Sequence, residues 1–328
     1  MLKFIIKRLL ISIAILFAVM FIIYTIMRSL PADYVETVAR ELSTKPGSLP
    51  REEWIRRLNV MYGLDQNIVK GFFNWLGKAA KGEFGDSWHY TVPVTEKFKE
   101  VIWFSFYLGA AAFVLQMSIS IPLGVLAAKK QYSATDYTVT VVALIGISLP
   151  TFFVATILKL IFSIKLQWFD ISGRVSRNYD TLTPFGQFLD QAKQFVLPIV
   201  TLVVIGIGGM MRYTRTNMLE VLNSDYIRTA RAKGLSERKV INHHAFRNTL
   251  IPIVTIIGGS LPGLFSGALI TETLFSLGGI GFTSYTAMTT GDIPFTMFYL
   301  TFMAILTLLG TLIADILYAV VDPRVRVN

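Results

Sequence analysis

The residue types that usually carry chemistry are sparse in this chain and form no known catalytic pattern. There is no cysteine, which excludes disulfides, thiolate catalysis and cysteine metal sites. His243 and His244 are adjacent, and adjacent helical residues point about 100° apart, so they make a poor metal pair. His89 lies far away in the sequence. The chain has no G-x-x-x-x-G-K-S/T phosphate loop, no H-E-x-x-H motif and no G-x-S-x-G motif. We predict that it is not an enzyme and binds no metal or cofactor itself.

Two acidic residues interrupt long apolar runs, where an acid is a functional candidate by default. Glu272 follows Arg247 by 25 residues, which is about 37 Å along a continuous helix at ~1.5 Å per residue. This places Glu272 near the outer end of a membrane span, and Asp315 falls near the inner end of another. Because interfacial positions weaken the functional interpretation, we favour a structural role for both.

The elements that position these residues are membrane helices. Hydrophobic residues make up 53% of the 328 residues and charged residues only 16%, against about 25% charged in soluble domains. The mean hydropathy is +0.55. The N-terminal apolar run from Leu9 to Met27 is longer than the roughly 7–15 residues of a signal peptide core, and no A-x-A site follows. We therefore predict an all-α polytopic membrane protein with an uncleaved first helix.

Windows of about 20 apolar residues predict six transmembrane helices. They lie near residues 9–29, 101–128, 138–163, 194–213, 249–277 and 297–321. We divide the chain into residues 1–29 (N-terminal segment and first helix), 30–100 (a small extracytoplasmic helical subdomain) and 101–328 (the transmembrane core with helices two to six). The core includes a cytoplasmic loop at residues 214–248.

The distribution of charge predicts the orientation. If the N-terminus is cytoplasmic, the inside segments hold 15 basic and five acidic residues, whereas the outside segment 30–100 holds ten of each. Basic residues concentrate on the cytoplasmic side of membrane proteins, so we predict that both termini are cytoplasmic. The net charge of +10 is then explained by loops beside anionic lipid, and no nucleic-acid partner is expected.

Segment 30–100 has a helical pattern of its own. Apolar residues from Ile68 to Ala80 recur at helical spacing, and Gly82 and Gly85 then end the pattern. Trp75, Trp88 and Tyr90 could lie at the membrane interface. The alternative, which we favour, is that they pack within the subdomain.

The fifth predicted span carries small residues four apart, at Gly259, Gly263, Gly267 and Thr271. Such a face lets helices approach closely, and Pro262 should kink the helix. A kinked, glycine-faced helix suits a moving part of a pore, and it suits static packing equally well.

The loop before this span, SDYIRTARAKGLSERKVINHHAFRNTLIP (224–252), is basic and shows signals for two helices. Ser224 or Asp225 can cap a helix over Tyr226–Lys233. Gly234 follows where a left-handed residue is needed, and Ser236 can cap a second helix that leads toward Asn248 and the fifth span. The loop could simply set topology and contact anionic lipid, or the first helix could be a rigid peg for another protein. Periodicity leaves both open.

Residues 212–252 resemble the cytoplasmic coupling loop of ABC importer permeases of the oligopeptide/dipeptide type. The general importer signature is E-A-A, three residues, Gly, nine residues and I-x-L-P. Arg228-Thr229-Ala230 replaces E-A-A and His244-Ala245-Phe246-Arg247 replaces I-x-L-P, as in the peptide-permease variant. The stretches MYGLDQNIVKGFFNWLGKAAKGEFGDSW (61–88), ETLFSLGGIG (272–281) and DPRVRV (322–327) extend the resemblance to nearly the whole chain. Leu277-Gly278 departs from the usual proline before glycine, which puts only that turn in doubt.

This resemblance implies one of two nonidentical permease subunits in the cytoplasmic membrane of a bacterium or archaeon. The expected partners are a homologous second permease, two ABC ATPases that use ATP and Mg, an extracytoplasmic substrate-binding protein and membrane lipid. The first loop helix would dock in a groove of an ATPase, whose closure would switch the spans from inward-open to outward-open.

The resemblance also assigns residues. Arg228, Arg231 and Lys233 should supply polar contacts to the ATPase, and Ala230, Ala232 and Gly234 should permit close approach. The full expected coupling set is Tyr226, Ile227, Arg228, Thr229, Ala230, Arg231, Ala232, Lys233, Gly234 and Leu235. The expected packing or gating set is Gly259, Pro262, Gly263, Gly267 and Glu272. The substrate-binding residues are not assigned.

The expected cargo is an oligopeptide or dipeptide. Importers of the same type also carry nickel complexes, glutathione or oligosaccharides, so these remain alternatives. A stand-alone channel or secondary transporter is a different class, and it would need coupling charges near the midplane of the membrane.

Overall fold

A computed structural model describes residues 2–29, 33–44, 47–61 and 65–321. The C-terminal motif DPRVRV, with Arg324 and Arg326, therefore lies outside the described residues, as does the position of the C-terminus. The described residues are helical and contain no β-strand beyond an isolated bridge between Asp86 and Pro93.

The helices follow one another in this order: α1 (Leu2–Ser29), α2 (Asp33–Ser43), α3 (Arg51–Met61), α4 (Ile68–Ala79), α5 (Val94–Lys129), α6 (Ala134–Ser148), α7 (Thr151–Leu158), a π-helical segment (Lys159–Lys165), a 3₁₀ turn (Tyr179–Thr181), α8 (Pro184–Leu222), α9 (Asp225–Ala232), α10 (Glu237–Lys239), a second π-helical segment (Val240–Ala245), α11 (Phe246–Gly259), α12 (Leu261–Phe265), α13 (Leu269–Leu274), α14 (Ile280–Thr289) and α15 (Ile293–Val321).

Four of the described helices are long and apolar enough to cross a membrane, within Ile5–Ser29, Val94–Lys129, Pro184–Leu222 and Ile293–Leu317. Two bent pairs raise the number of candidate spans to six if each pair is one span. They are Ala134–Ser148 with Thr151–Lys165, bent by 101°, and Glu237–Leu250 with Pro252–Phe265, bent by 40°. The prediction of a helical membrane protein is confirmed.

The third predicted span, 138–163, is not one straight helix. α6 ends at Ser148 and α7 begins at Thr151, with Pro150 at the N-cap of α7. Proline disfavours the helical conformation in the residue before it, which accounts for the extended backbone of Leu149 (ψ 129°). A hydropathy window scores this segment as one continuous apolar run and carries no information about the bend.

The fourth predicted span, 194–213, is much shorter than the helix that contains it. α8 has 39 residues, begins with Pro184 in its first turn and keeps the buried Pro198 inside. Its N-terminal turns are polar, and Gln187, Asp190 and Gln191 in them form hydrogen bonds with the preceding loop. A window that scores only hydrophobicity therefore misses both ends.

The fifth predicted span, 249–277, is broken into three helices, which is a larger interruption than the kink predicted at Pro262. α11 ends at Gly259, α12 covers only Leu261–Phe265, and α13 begins at Leu269 after Gly267 with φ +75°. Gly259, Gly263, Gly267 and Thr271 consequently do not form one helical ladder.

The first compact unit comprises the described parts of residues 1–103 and 282–309. A hydrophobic cluster of Tyr24, Met27, Phe72 and Met297 joins α1, α4 and α15, with Trp75 packed against it. Trp88 is also buried. α4 ends before Gly82 and Gly85, which both have positive φ, as the sequence predicted. The packing interpretation of Trp75 and Trp88 is therefore correct.

The second unit comprises the described parts of residues 104–281 and 310–328. α6 and α8 cross at close range, because a Cβ on Gly208 would lie 2.3 Å from the Ala143 carbonyl oxygen and one on Gly146 would lie 2.8 Å from that of Val204. Such backbone contact is typical of membrane helices with small residues at the crossing. This unit carries the coupling loop.

Candidate functional site

The coupling loop connects α8 to α11 through one short helix, which we call the docking helix (α9, Asp225–Ala232). Its bounds lie one residue before those predicted. Ser224 occupies the N-cap but makes no capping bond with its side chain; its hydroxyl donates to the Val221 carbonyl at 2.6 Å. Ser236 likewise makes no side-chain cap. The cap positions are as predicted, whereas the capping hydrogen bonds are not formed.

Gly234 turns the chain sharply at the end of the docking helix. Its φ is +75°, its N–H donates to Arg231 at 2.9 Å, and the Leu235 N–H donates to Ala230 at 3.4 Å. This is the pair of bonds that defines a Schellman motif, and Leu235 packs against the cluster that contains Ala230, as often accompanies that motif. Within this chain nothing lies within 4 Å of a Cβ built on Gly234, and its expected role in close approach to the ATPase stays a prediction. Glycine is needed there for backbone conformation.

One face of the docking helix is anchored to its own chain. Ile227 and Ala230 are buried in a cluster with Met218 of α8 and with Val240 and Ile241. Ala230 therefore lets the helix approach its own chain, and its expected contact with a partner stays a prediction. The signal was present in the sequence, because Ile227 and Ala230 are spaced i, i+3 on an otherwise polar helix.

The remaining residues of the docking helix face outward. Tyr226 is 48% exposed, and Arg228 makes an exposed contact of 3.5 Å with Asp225. The other exposed members of the predicted coupling set are Thr229, Arg231, Ala232, Lys233 and Gly234. The structure thus presents a cationic, partly aromatic face on a helix whose other side is fixed.

An ion pair braces the corner at Gly234. Arg231 donates from Nε and Nη2 to the two carboxylate oxygens of Glu237, at 3.1 and 2.7 Å. This hydrogen bonding raises the pKa of Arg231 above its ordinary value. The pair is about half exposed, so it adds little stability. Its bidentate geometry fixes the angle between the docking helix and α10.

The second loop helix runs on into the membrane helix without a break. α10 leads into the π-helical segment Val240–Ala245, which leads into α11. The sequence predicted this helix but not its π-helical turn, for which no local signal exists. The rings of His243 and His244 lie edge to face with centroids 5.3 Å apart. Among the described residues, no group of three or more potential ligands could hold a metal.

A buried ion pair that sequence reasoning missed lies in the same unit, between the start of α6 and α8. Arg215 donates to both carboxylate oxygens of Asp136, from Nε at 2.6 Å and from Nη2 at 2.7 Å. The Asp136 side chain is 3% exposed, and it also accepts from the Tyr132 N–H at 3.0 Å.

Comparison with known proteins gives the family. The model for the binding-protein-dependent transport system inner membrane component matches residues 120–327, and the model for its N-terminal part matches residues 1–93. The chain belongs to this family. It is 36% identical to the oligopeptide transport system permease protein AppB of Bacillus subtilis (strain 168), covering 99% of this chain and 100% of the relative.

Two further relatives match at full length. The di/tripeptide transport system permease protein DppB of Pseudomonas aeruginosa (strain UCBPP-PA14) is 35% identical, covering 99% of each chain. The dipeptide transport system permease protein DppB of Escherichia coli (strain K12) is 34% identical, again covering 99% of each. The chain is thus a permease subunit of a binding-protein-dependent ABC transport system of the inner membrane.

The residues predicted for packing or gating of this permease occupy different surroundings. A Cβ on Gly259 or Gly263 would meet nothing within 4 Å, whereas one on Gly267 would lie 2.3 Å from the Gly281 nitrogen. Pro262 is in the first turn of α12. Glu272 is fully buried and accepts from the Ser105 hydroxyl at 2.7 Å. The structure brings Gly267 and Glu272 together around residues 279–281 and leaves Gly259 and Gly263 open.

Proposed function

We propose that this chain forms half of the translocation pore of an ATP-driven peptide importer, and that the docking helix couples the pore to a cytoplasmic ATPase. The observation that carries the proposal is the two-sided docking helix. Its inner face is packed on α8 and on the helix leading into α11, so a force on its outer face reaches both membrane helices.

The proposal fixes the arrangement in the membrane. The six predicted helices each cross once, both termini are cytoplasmic, and residues 30–100 face the outside, where the substrate-binding protein delivers the cargo. A homologous second permease completes the pore. Two ATPase subunits bind ATP and Mg, and this chain binds no cofactor.

Peptides are the favoured cargo, because all three relatives named above carry oligopeptide, di/tripeptide or dipeptide in their names. Nickel complexes, glutathione and oligosaccharides are named by none of these three relatives and remain alternatives. Family membership also removes the stand-alone channel or secondary transporter. Binding of peptides to the cognate binding protein, followed by peptide-stimulated ATP hydrolysis in the whole complex, is the direct test of cargo.

Replacing Gly234 tests the coupling role. In Gly234→Val, a β-branched residue is forced to positive φ, which costs about 1–2 kcal/mol locally and distorts the corner. We expect weaker ATPase association in membrane pull-downs and loss of transport-coupled ATP hydrolysis. Gly82→Val is the matched control, since Gly82 has φ +81° and equally open surroundings but lies outside the loop.

A second variant guards against simple misfolding. Thr229 is exposed on the docking helix, so Thr229→Trp adds bulk to the outer face without disturbing the buried one. Arg238→Trp, beyond the corner, is its control. If the complex of Thr229→Trp assembles and couples like wild type, the docking proposal is wrong.

A further inference from the structure

The short turn between α5 and α6 lies beside the docking helix, within the same compact unit. We call it the inner turn; it comprises residues 130–133, between Lys129 at the end of α5 and Ala134 at the start of α6. Ala128 is buried in the cluster that also contains Ile227 and Ala230 of the docking helix. The inner turn therefore begins two residues after the surface on which the docking helix is packed.

A charge interaction also links the inner turn to the corner at Gly234. Lys129 is exposed and lies close enough to the Glu237 carboxylate for their charges to attract. Glu237 is the residue that pairs with Arg231 of the docking helix. Lys130 is exposed as well. Exposed cations of the inner turn and of the docking helix thus lie on both sides of this corner.

The backbone of the inner turn is strained at Tyr132. Its φ is +63°, which is in the left-handed region that a bulky side chain rarely adopts. A residue in that region persists only when the surrounding structure holds it there. Glycine adopts the same conformation without a steric cost. Local stability therefore favours glycine at this position, and the tyrosine needs another explanation.

A buried ion pair holds the strained conformation. The Tyr132 N–H donates to Asp136 at 3.0 Å, and Asp136 accepts two hydrogen bonds from Arg215 of α8. Arg215 lies three residues before Met218, which packs under the docking helix in the shared cluster. The same end of α8 therefore supports both the inner turn and the docking helix.

The Tyr132 side chain points outward from this rigid support. It is 75% exposed, the largest exposed fraction of any aromatic or large aliphatic side chain in the part of the chain that the structure describes. Tyrosine is enriched at protein interfaces, where its ring supplies much contact area and loses little conformational entropy. A side chain that is already held in position binds a partner more tightly, because less ordering remains to be done.

Anionic lipid is the alternative partner for the same side chains, since lysine and tyrosine both favour the membrane surface. Lipid headgroups are mobile and adapt to side chains in many positions. A lipid contact therefore does not require Tyr132 to be fixed in a strained conformation, whereas a contact with a folded protein benefits from it. The strained backbone favours a protein partner.

We propose that the inner turn is a second contact surface for the cytoplasmic ATPase, with Tyr132 as its aromatic anchor and with Lys129 and Lys130 facing acidic groups of the ATPase. This inference rests on the proposed function, because the docking helix beside the turn must meet that ATPase. Contact at both surfaces connects the ATPase to α5 and α6 as well as to α8 and α11.

Photo-crosslinking in the whole complex in lipid vesicles tests this contact. The photoreactive residue p-benzoyl-phenylalanine replaces Tyr132, Tyr226 of the docking helix or Tyr107 of α5, in separate complexes. Tyr107 is 63% exposed and lies 22 residues before Lys129, which is about 33 Å along the helix, so it is the matched negative control. We expect ATPase adducts from positions 132 and 226 and none from position 107.

The pattern of adducts separates this inference from the proposed function. An ATPase adduct from position 226 without one from position 132 overturns the second surface and leaves the docking helix in its role. A lipid adduct as the main product at position 132 overturns it as well. If neither position 132 nor position 226 gives an ATPase adduct, the proposed function fails and this inference fails with it.

A glycine substitution separates the contact from stability. Tyr132→Gly removes the ring and relieves the strain at φ +63°, so it should not lower the midpoint of thermal unfolding. It should weaken binding of the ATPase to the permease pair in lipid nanodiscs by about tenfold, as expected for an interface tyrosine. Tyr132→Phe keeps the ring and should bind like wild type.

Gln167→Gly is the matched control for this substitution. Gln167 is also exposed and has φ +54°, but it lies after the π-helical segment that follows α7. Its replacement should likewise not lower the thermal midpoint, and it should leave ATPase binding unchanged. Wild-type ATPase affinity in Tyr132→Gly, or an equal loss of affinity in both glycine variants, contradicts the second surface.

Discussion

At the scale of single residues, the pair Asp136–Arg215 is the most consequential interaction that the sequence did not reveal. The two residues are 79 positions apart, and no local sequence pattern around either residue predicts the other as its partner. Gly234 is the opposite case, since a glycine after a helix with basic residues in its last turn is a local signal. Local chemistry is readable from sequence, whereas pairing across helices depends on how they pack.

Breaking the Asp136–Arg215 pair should be costly. Asp136→Asn leaves the Arg215 guanidinium without its carboxylate in a largely buried place, and removal of one partner of a buried pair costs about 3–5 kcal/mol. We expect a clearly lower midpoint of thermal unfolding for the purified protein in detergent. Asp225→Asn, which alters an exposed pair, should leave the midpoint unchanged. A drop of the same size in both variants contradicts this assignment.

At the scale of elements, the sequence predicted where membrane helices lie better than it predicted their shape. The apolar runs correctly predicted the positions of α1, α5, α15 and the two bent pairs, because hydropathy scores how apolar a segment is and lipid favours apolar segments. Pro262 predicted a kink in the fifth span, but hydropathy gave neither the corner at Pro150 nor the extent of the break after Gly259, because these depend on backbone conformation and on neighbours. The burial of Ala230 on the inner face of the docking helix was not predicted for the same reason, since a small residue fits a buried and an exposed face equally well.

The crossing of α6 and α8 offers a test with neighbouring glycines. In Gly208→Ala the new methyl group would lie 2.3 Å from the Ala143 carbonyl oxygen, so the helices must separate, whereas nothing lies within 4 Å of a Cβ on Gly209. We expect Gly208→Ala to destabilise by about 1–3 kcal/mol and Gly209→Ala to be neutral or slightly stabilising, since alanine favours helix. Thermal unfolding in detergent measures both. The crossing is misassigned if the two variants are alike.

At the scale of the whole molecule, the distribution of charge and the family match are both those of an inner-membrane permease. Family models match residues 1–93 and 120–327, and the surplus of basic residues lies in the segments predicted to be cytoplasmic. The side of the membrane reached by each loop is still a separate question, because the 101° bend between α6 and α7 allows either a broken span or a re-entrant loop. The two alternatives place the loop after α7 on opposite sides.

Single cysteines in this cysteine-free chain decide between them. Tyr132 precedes α6 and is 75% exposed, and Asp180 follows α7 and is also exposed. If the bent pair is one span, a membrane-impermeant maleimide should label Asp180→Cys in spheroplasts and Tyr132→Cys only in inverted vesicles. Lys81→Cys and Asn242→Cys calibrate the outside and the inside. Labelling of Asp180→Cys from the same side as Tyr132→Cys would show a re-entrant loop, and the remaining spans would then place the docking helix and the N-terminus on opposite sides of the membrane. That result would remove the six-span arrangement, since a docking helix that must meet a cytoplasmic ATPase would require an N-terminus outside.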